Sequence, residues 1–175
     1  MNKIFATAAL CAVLSAPAMA QSSLIGDKDC FGLGGSCAEG TLWRDDLGGT
    51  FFTNYQGAGD PSFTDKWDAD ANITYFHDYT LGAASSAALT ISTAGIADNR
   101  GPWAVFFNGT NIGEFTVNTN ANAFQEVRLF TFAVPTALLT GHDQILLAIN
   151  TTVNDGYSID YSELNITAVP EPETL

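Results

Sequence analysis

Short apolar–polar alternations, each closed by a Gly, Asn, Asp or Pro turn, dominate the chain from Asn72 onward and confine it to strands. Between Asn72 and Leu81, Ile73, Tyr75, His77 and Tyr79 fall on one face, and Thr74, Phe76 and Asp78 on the other. Ala87 to Ile96 keeps Leu89, Ile91 and Thr93 in one register, and Phe124 to Val134 sets Val127, Leu129 and Thr131 against Arg128, Phe130 and Phe132. Trp103 to Phe107 and Ile112 to Val117 flank Asn108-Gly109-Thr110-Asn111, a hairpin signal with a loop longer than two residues. Pro135 lacks the amide proton a ladder needs, so it ends its strand; the next residues allow one helical turn up to Gly141. Gln144 to Asn150 and Tyr157 to Thr167 complete the series. Thr50 to Tyr55 reads as a further short strand, and Gln21 to Gly49 as Gly-rich loop with one edge strand. Such strands favour an all-β sandwich or barrel over an α/β fold, with few or no helices.

Charge narrows the partners. The 175 residues hold 6 Lys and Arg against 19 Asp and Glu, a net charge of −13. Nucleic acid and anionic membrane surfaces both demand clustered basic residues, so neither is an expected partner. With 46% apolar residues the chain is too hydrophobic for intrinsic disorder, and at this length it suits one domain.

Both ends read as addresses. Asn2-Lys3, the apolar run Ile4 to Leu14, Pro17 and Ala18-Met19-Ala20 predict a secretory signal over residues 1–20, cleaved between Ala20 and Gln21. Cleavage would remove Cys11 and leave Cys30 and Cys37, which enclose six residues including Gly32, Gly34 and Gly35. In an oxidising compartment that pair predicts a disulfide. At the other end, residues 169–175 read Val169-Pro170-Glu171-Pro172-Glu173-Thr174-Leu175. They resemble the opening of the PEP-CTERM sorting signal of Gram-negative bacteria, which implies an exosortase-type partner and a secreted or outer cell-surface location. The apolar segment and basic tail that follow the motif in that family are absent from these 175 residues.

Between the addresses, residues 21–168 form the expected domain. Phe132 to Ile149 reads F-x-V-P-x-x-L-L-x-G-x-x-x-I-x-L-x-I, and Ile159 to Ile166 follows as a closing strand. These stretches resemble jelly-roll modules related to galactose-binding and carbohydrate-binding domains, which implies a single antiparallel β-sandwich of jelly-roll type. The same resemblance implies a structural calcium tying an early loop to the last strand, with Asp27, Asp29 and Asp160 as ligands. Asp65, Asp68, Asp70 and Asn72 form an alternative oxygen-rich cluster, D-x-x-D-x-D-x-N, without the Gly and distal Glu of an EF-hand loop. Solvated turn formers are the plainer reading of all these acids.

No catalytic residues are assigned. His77 and His142 are possible bases and Ser158 and Ser162 possible nucleophiles, but G-x-S-x-G and H-E-x-x-H are missing and no carboxylate pair is set for glycoside hydrolysis. His77, mid-strand on an aromatic face, reads first as a packed histidine. Sugar binding needs aromatic platforms beside polar groups, and Trp67, Arg100 and Trp103 lie beside Asp, Gly and Pro turns. Four N-x-S/T sequons, at Asn72, Asn108, Asn150 and Asn165, read in a bacterial chain as products of Asn- and Thr-rich composition. The expectation is a secreted, non-catalytic β-sandwich associated with extracellular matrix or exopolysaccharide. A lectin-like module with a defined glycan is the first alternative, and a polysaccharide-acting hydrolase the second.

Overall fold

The computed structural model describes residues 20–26, 28–31, 38–42, 66–68, 72–96, 103–116, 119, 126–148 and 157–169. These contain β1 (Ala20–Gly26), β2 (Lys66–Asp68), β3 (Ile73–Asp78), β4 (Ala84–Ala94), β5 (Trp103–Phe107), β6 (Thr110–Phe115), β7 (Val127–Val134), β8 (His142–Ala148) and β9 (Tyr157–Ala168). The helical turn expected after Pro135 is a single 3-10 turn, Thr136–Leu138.

The strands form two antiparallel sheets. One has the order β1-β9-β4-β7, with β2 also pairing with β9; the other has the order β3-β8-β5-β6. The pairing is nested: β1 with β9, β3 with β8, β4 with β7 and β5 with β6, so the described chain is one long hairpin rolled into two layers. This is the jelly roll that the sequence implied, a sandwich rather than a barrel.

Alternation builds the core. Ile73, Tyr75 and His77 of β3 are buried while Thr74 and Asp78 are exposed, and Leu89 and Ile91 of β4 point inward beside Phe130 and Phe132 of β7. Trp103, Val105 and Phe107 of β5 are all inside. Each fully buried side chain of this size stabilises the fold by roughly 1.5–3 kcal/mol through removal of apolar surface from water.

Two local features differ from expectation. The β5–β6 hairpin turns on just Asn108-Gly109, both at positive φ (47° and 78°), because this pair suits a tight turn that follows the strand twist. Thr110 is already in the strand, and the extra length appears as a bulge between Val105 and Phe106 instead of a loop. Along β9 the register with β4 shifts, Ser92 facing Tyr161 and Thr93 facing Ile159, so Asp160 is the extra residue of a bulge.

The bulge also explains Gly26. Its φ is +81°, and a Cβ there would lie 2.3 Å from the Asp160 carbonyl oxygen, so only glycine lets β1 end against the bulge. Beyond β1, Cys30 and Phe31 pack with Ala94 and Val127 on the outer side of the first sheet. The edge of β7 is covered as well. Gly40 N–H donates to the Val127 carbonyl (2.9 Å), and Glu39 accepts from the Leu129 N–H (2.6 Å) while pairing with Arg128. A carboxylate set on an edge amide blocks that position to another strand.

Candidate functional site

Three polar places stand out in the sandwich, two of them inside it. The first surrounds His77, which is fully buried on β3 and reaches across to the other sheet. Its Nδ1 lies 3.0 Å from Ser23 Oγ of β1, and its Nε2 lies 3.0 Å from Ser162 Oγ of β9. Tyr75 is its edge-on neighbour, with 5.8 Å between ring centroids. Burial lowers the His77 pKa from its ordinary 6.5 to about 4, against the opposing pull of Asp143, the Ser23 hydrogen bond, Asp78 and Glu163. A neutral imidazole with one donating and one accepting nitrogen suits two hydroxyls, so His77 pins the sheets together. The packed histidine expected from the sequence is what the fold contains.

The second place is Asp143, opposite His77 in the β3–β8 register and likewise fully buried. One of its oxygens accepts from Asn108 Nδ2 (2.7 Å), the Thr140 N–H (2.9 Å) and Thr140 Oγ1 (2.5 Å). The other accepts from the Tyr79 hydroxyl. Burial and the Asp143 carboxylate both push the Tyr79 pKa well up, so the phenol remains a donor. Asn108 spends its second amide hydrogen on the Leu138 carbonyl (2.8 Å), and its Oδ1 accepts from Gln144 N–H (2.8 Å). This carboxylate therefore ties together the segment after β3, the β5–β6 turn and the approach to β8.

The third place is the outer face of the second sheet. The rings of Phe76 and His142 stack at 4.6 Å and 6°, and His142 Nδ1 lies 2.5 Å from Asp78 Oδ1. Gln144 sits opposite Phe76, and Leu146 lies between Thr74 and Phe106 in the ladder, all partly or fully open to solvent. Phe76, Phe106, Gln144, Thr74 and Asp78 thus combine rings with hydrogen-bonding groups on one surface. Alternation could have found this face, since its residues are the polar-side partners of the core positions.

The sequence candidates are distributed differently. Trp103 is a correction: its indole is 2% exposed and packs on Tyr157 at 5.6 Å in the core, because β5 alternates inward at positions 103, 105 and 107. It cannot serve as an external platform. Trp67 contributes backbone pairing to Ser158 through β2, as Asp68 does to Tyr157. The side chains of Trp67 and Asp68, together with Asp27, Cys37, Asp65, Asp70, Arg100, residues 1–19 and residues 170–175, lie outside the described residues.

For the implied calcium, the fold brings part of the expected set together. Asp160 is fully buried on the β9 bulge, and the Phe31 N–H, two residues after Asp29, donates to its Oδ1 (3.2 Å). The loop carrying Asp29 and the strand carrying Asp160 thus meet. Among the described residues, no three His, Cys, Asp or Glu side chains converge on a metal position. The alternative cluster contributes only Asn72 as a described side chain, exposed just before β3.

No family model matches the chain, and no curated protein matches it. Among solved structures, dimeric latent PorU from Porphyromonas gingivalis superposes with a TM-score of 0.52 at 10% identity, over 90% of this chain and 14% of that one. A CBM36-1 domain of a multidomain xylanase from the hindgut metagenome of Trinervitermes trinervoides gives 0.40 at 13% identity, covering 89% of this chain and all (100%) of that one. A β-porphyranase of glycoside hydrolase family 86 from Bacteroides plebeius gives 0.44 at 10% identity, over 89% of this chain and 30% of its own. The chain spans about a seventh of the PorU structure (14%), and the similarity shared with it is one of fold. What the comparisons establish is the β-sandwich alone.

Proposed function

We propose that this chain is a secreted or cell-surface, non-catalytic jelly-roll protein that associates with extracellular polysaccharide. The observation that carries this reading is where the polar groups sit. His77, Asp143, Ser23 and Ser162 are buried and engaged in hydrogen bonds between strands and loops, whereas among the described residues a ring-bearing, hydrogen-bonding surface lies on the outer face around Phe76. An acid or base sealed in the core has no path to a substrate, but an open face can bind one. Sugars offer C–H faces to aromatic rings and hydroxyls to Gln, Thr and Asp, and a neutral polymer is not repelled by the chain's net charge of −13.

The two addresses complete the proposal. β1 begins at Ala20, beside the expected cleavage bond, and Ala20 pairs with Thr167 near the end of β9. Val169, the first residue of the PEP-CTERM-like motif, donates its N–H to Ala83 (2.8 Å) as the last strand ends. Ala20 and Val169 lie at the same end of one sheet, which supports reading residues 21–168 as a domain between the two addresses. An exosortase-type enzyme would act on the motif, and Cys30 would pair with Cys37.

A lectin-like role for the Phe76 face is the second reading, favoured by the Phe76–His142 stack and its neighbours. Phe76→Ala and Phe106→Ala should each abolish retardation in a gel cast with the host's polysaccharide, with melting temperatures close to the parent's. Unchanged retardation in both variants would remove that face from the account. Calcium, held by Asp27, Asp29 and Asp160, would fasten the loop after β1 to β9. Binding to the folded state alone raises stability by mass action, so a chelator should lower the melting temperature and added calcium restore it. An identical melt with chelator would exclude the ion.

A further inference from the structure

We infer that Asn108 is a site of spontaneous deamidation held shut by its bonds to Asp143 and Leu138, so that opening this contact converts the β5–β6 turn one way. Asn108-Gly109 is the single Asn-Gly pair in the 175 residues. A glycine amide has no side chain to shield it and is the least hindered backbone nucleophile an asparagine can have beside it. Here that amide stands in the open: Gly109 is exposed, and a Cβ built on it would meet nothing within 4 Å. The nucleophile is unguarded, so what restrains the reaction is the hold on the asparagine side chain.

Every polar atom of that side chain is engaged. Nδ2 donates to the Leu138 carbonyl (2.8 Å) and to Asp143 Oδ1 (2.7 Å), and Oδ1 accepts from the Gln144 N–H (2.8 Å). The backbone is anchored too, the Asn108 N–H donating to the Gln144 carbonyl (2.9 Å). Deamidation runs through a cyclic imide. The Gly109 nitrogen loses its proton to base and bonds to the Asn108 side-chain carbon. The bond from that carbon to Nδ2 breaks, and ammonia leaves with the electron pair and a proton from water. Water then adds to either imide carbonyl and opens the ring to aspartate or isoaspartate. The amide must turn toward the main chain and its nitrogen must depart, so the bonds to Leu138, Asp143 and Gln144 have to break first.

The return is barred by the same contacts. A carboxylate at position 108 has no hydrogen for Leu138 or Asp143, and its charge falls beside the Asp143 carboxylate, where a donor stood at 2.7 Å. Two carboxylates that close repel. Isoaspartate also adds a methylene to the main chain of a two-residue turn, which spoils the Phe107–Thr110 pairing that closes the hairpin.

The test incubates the folded full chain at mildly alkaline pH beside the same chain unfolded in guanidinium, and follows the peptide holding Asn108 by mass. The unfolded chain should convert the amide to acid, and the folded parent should do so at least about a hundredfold more slowly, since each hydrogen bond opened to reach the imide is worth about a factor of ten. Asp143→Asn keeps the shape of the contact but removes the charged acceptor, and should raise the folded rate about tenfold. Asn108→Asp, which mimics the product, should melt about 5 °C or more below the parent. A folded parent that deamidates at Asn108 as fast as the unfolded chain would overturn the inference, and so would Asn108→Asp melting at the parent's temperature. Those two comparisons decide the matter even if Asp143→Asn does not fold. The readouts involve no polysaccharide, so they are independent of the functional reading.

Discussion

Asp143→Ala should lower stability by about 4 kcal/mol, the largest effect expected from any single polar side chain among the described residues. The fully buried carboxylate collects donors from Tyr79 and Asn108, which are half-buried, and from Thr140, which is exposed, and its removal leaves all three without their acceptor. Each stranded donor costs on the order of 1–3 kcal/mol, partly relieved as the loops relax. Asp143→Asn should recover only part of the loss, because an amide brings its own hydrogens to a site already crowded with donors. For a domain of this size, about 4 kcal/mol corresponds to a fall of roughly 10 °C in melting temperature. Calorimetry of the parent and both variants measures it. A shift of only a degree or two in Asp143→Ala would mean that the three loops are held by packing alone.

The second large effect is on acid stability. His77 takes up a proton near pH 6.5 when unfolded but near pH 4 when folded, because burial disfavours the imidazolium. Between those values the unfolded chain binds more protons, so stability falls as the pH drops from 6.5 toward 4. Above that window both states are neutral at this site, and below it both are charged, so the contribution is flat on either side. A shift from 6.5 to about 4 is worth roughly 3 kcal/mol across the window. The slope of unfolding free energy against pH should therefore be steeper in the parent than in His77→Gln, whatever the variant's absolute stability. Equal slopes between pH 4 and 6.5 would show that His77 does not titrate as its burial requires.

These two side chains show what a sequence exposes and what it hides. The inward position of His77 follows from strict alternation between Ile73 and Tyr79, and the jelly roll from the order and spacing of the strands. Its partners do not follow, since Ser23 and Ser162 lie 54 and 85 residues away and meet His77 only when the sheets stack. Asp143 is equally opaque: Asn108 and Tyr79 come to it from 35 and 64 residues off. Trp103 misled for a local reason. Its neighbours Gly101 and Pro102 suggest a surface loop, but position 103 is the first inward residue of β5. Asp160 is buried because a one-residue bulge re-aims β9, and no pattern in the sequence marks that slip. The Phe76 face, by contrast, was present in the alternation and needed only the question of what the outward row presents.

Affinity electrophoresis in gels containing the host's extracellular polysaccharide, with an assay for new reducing ends on the same mixture, tests the functional account most directly. The folded protein should migrate more slowly in proportion to polymer concentration and should release no reducing ends. Unretarded migration would contradict polysaccharide association, and accumulating reducing ends would contradict a non-catalytic role.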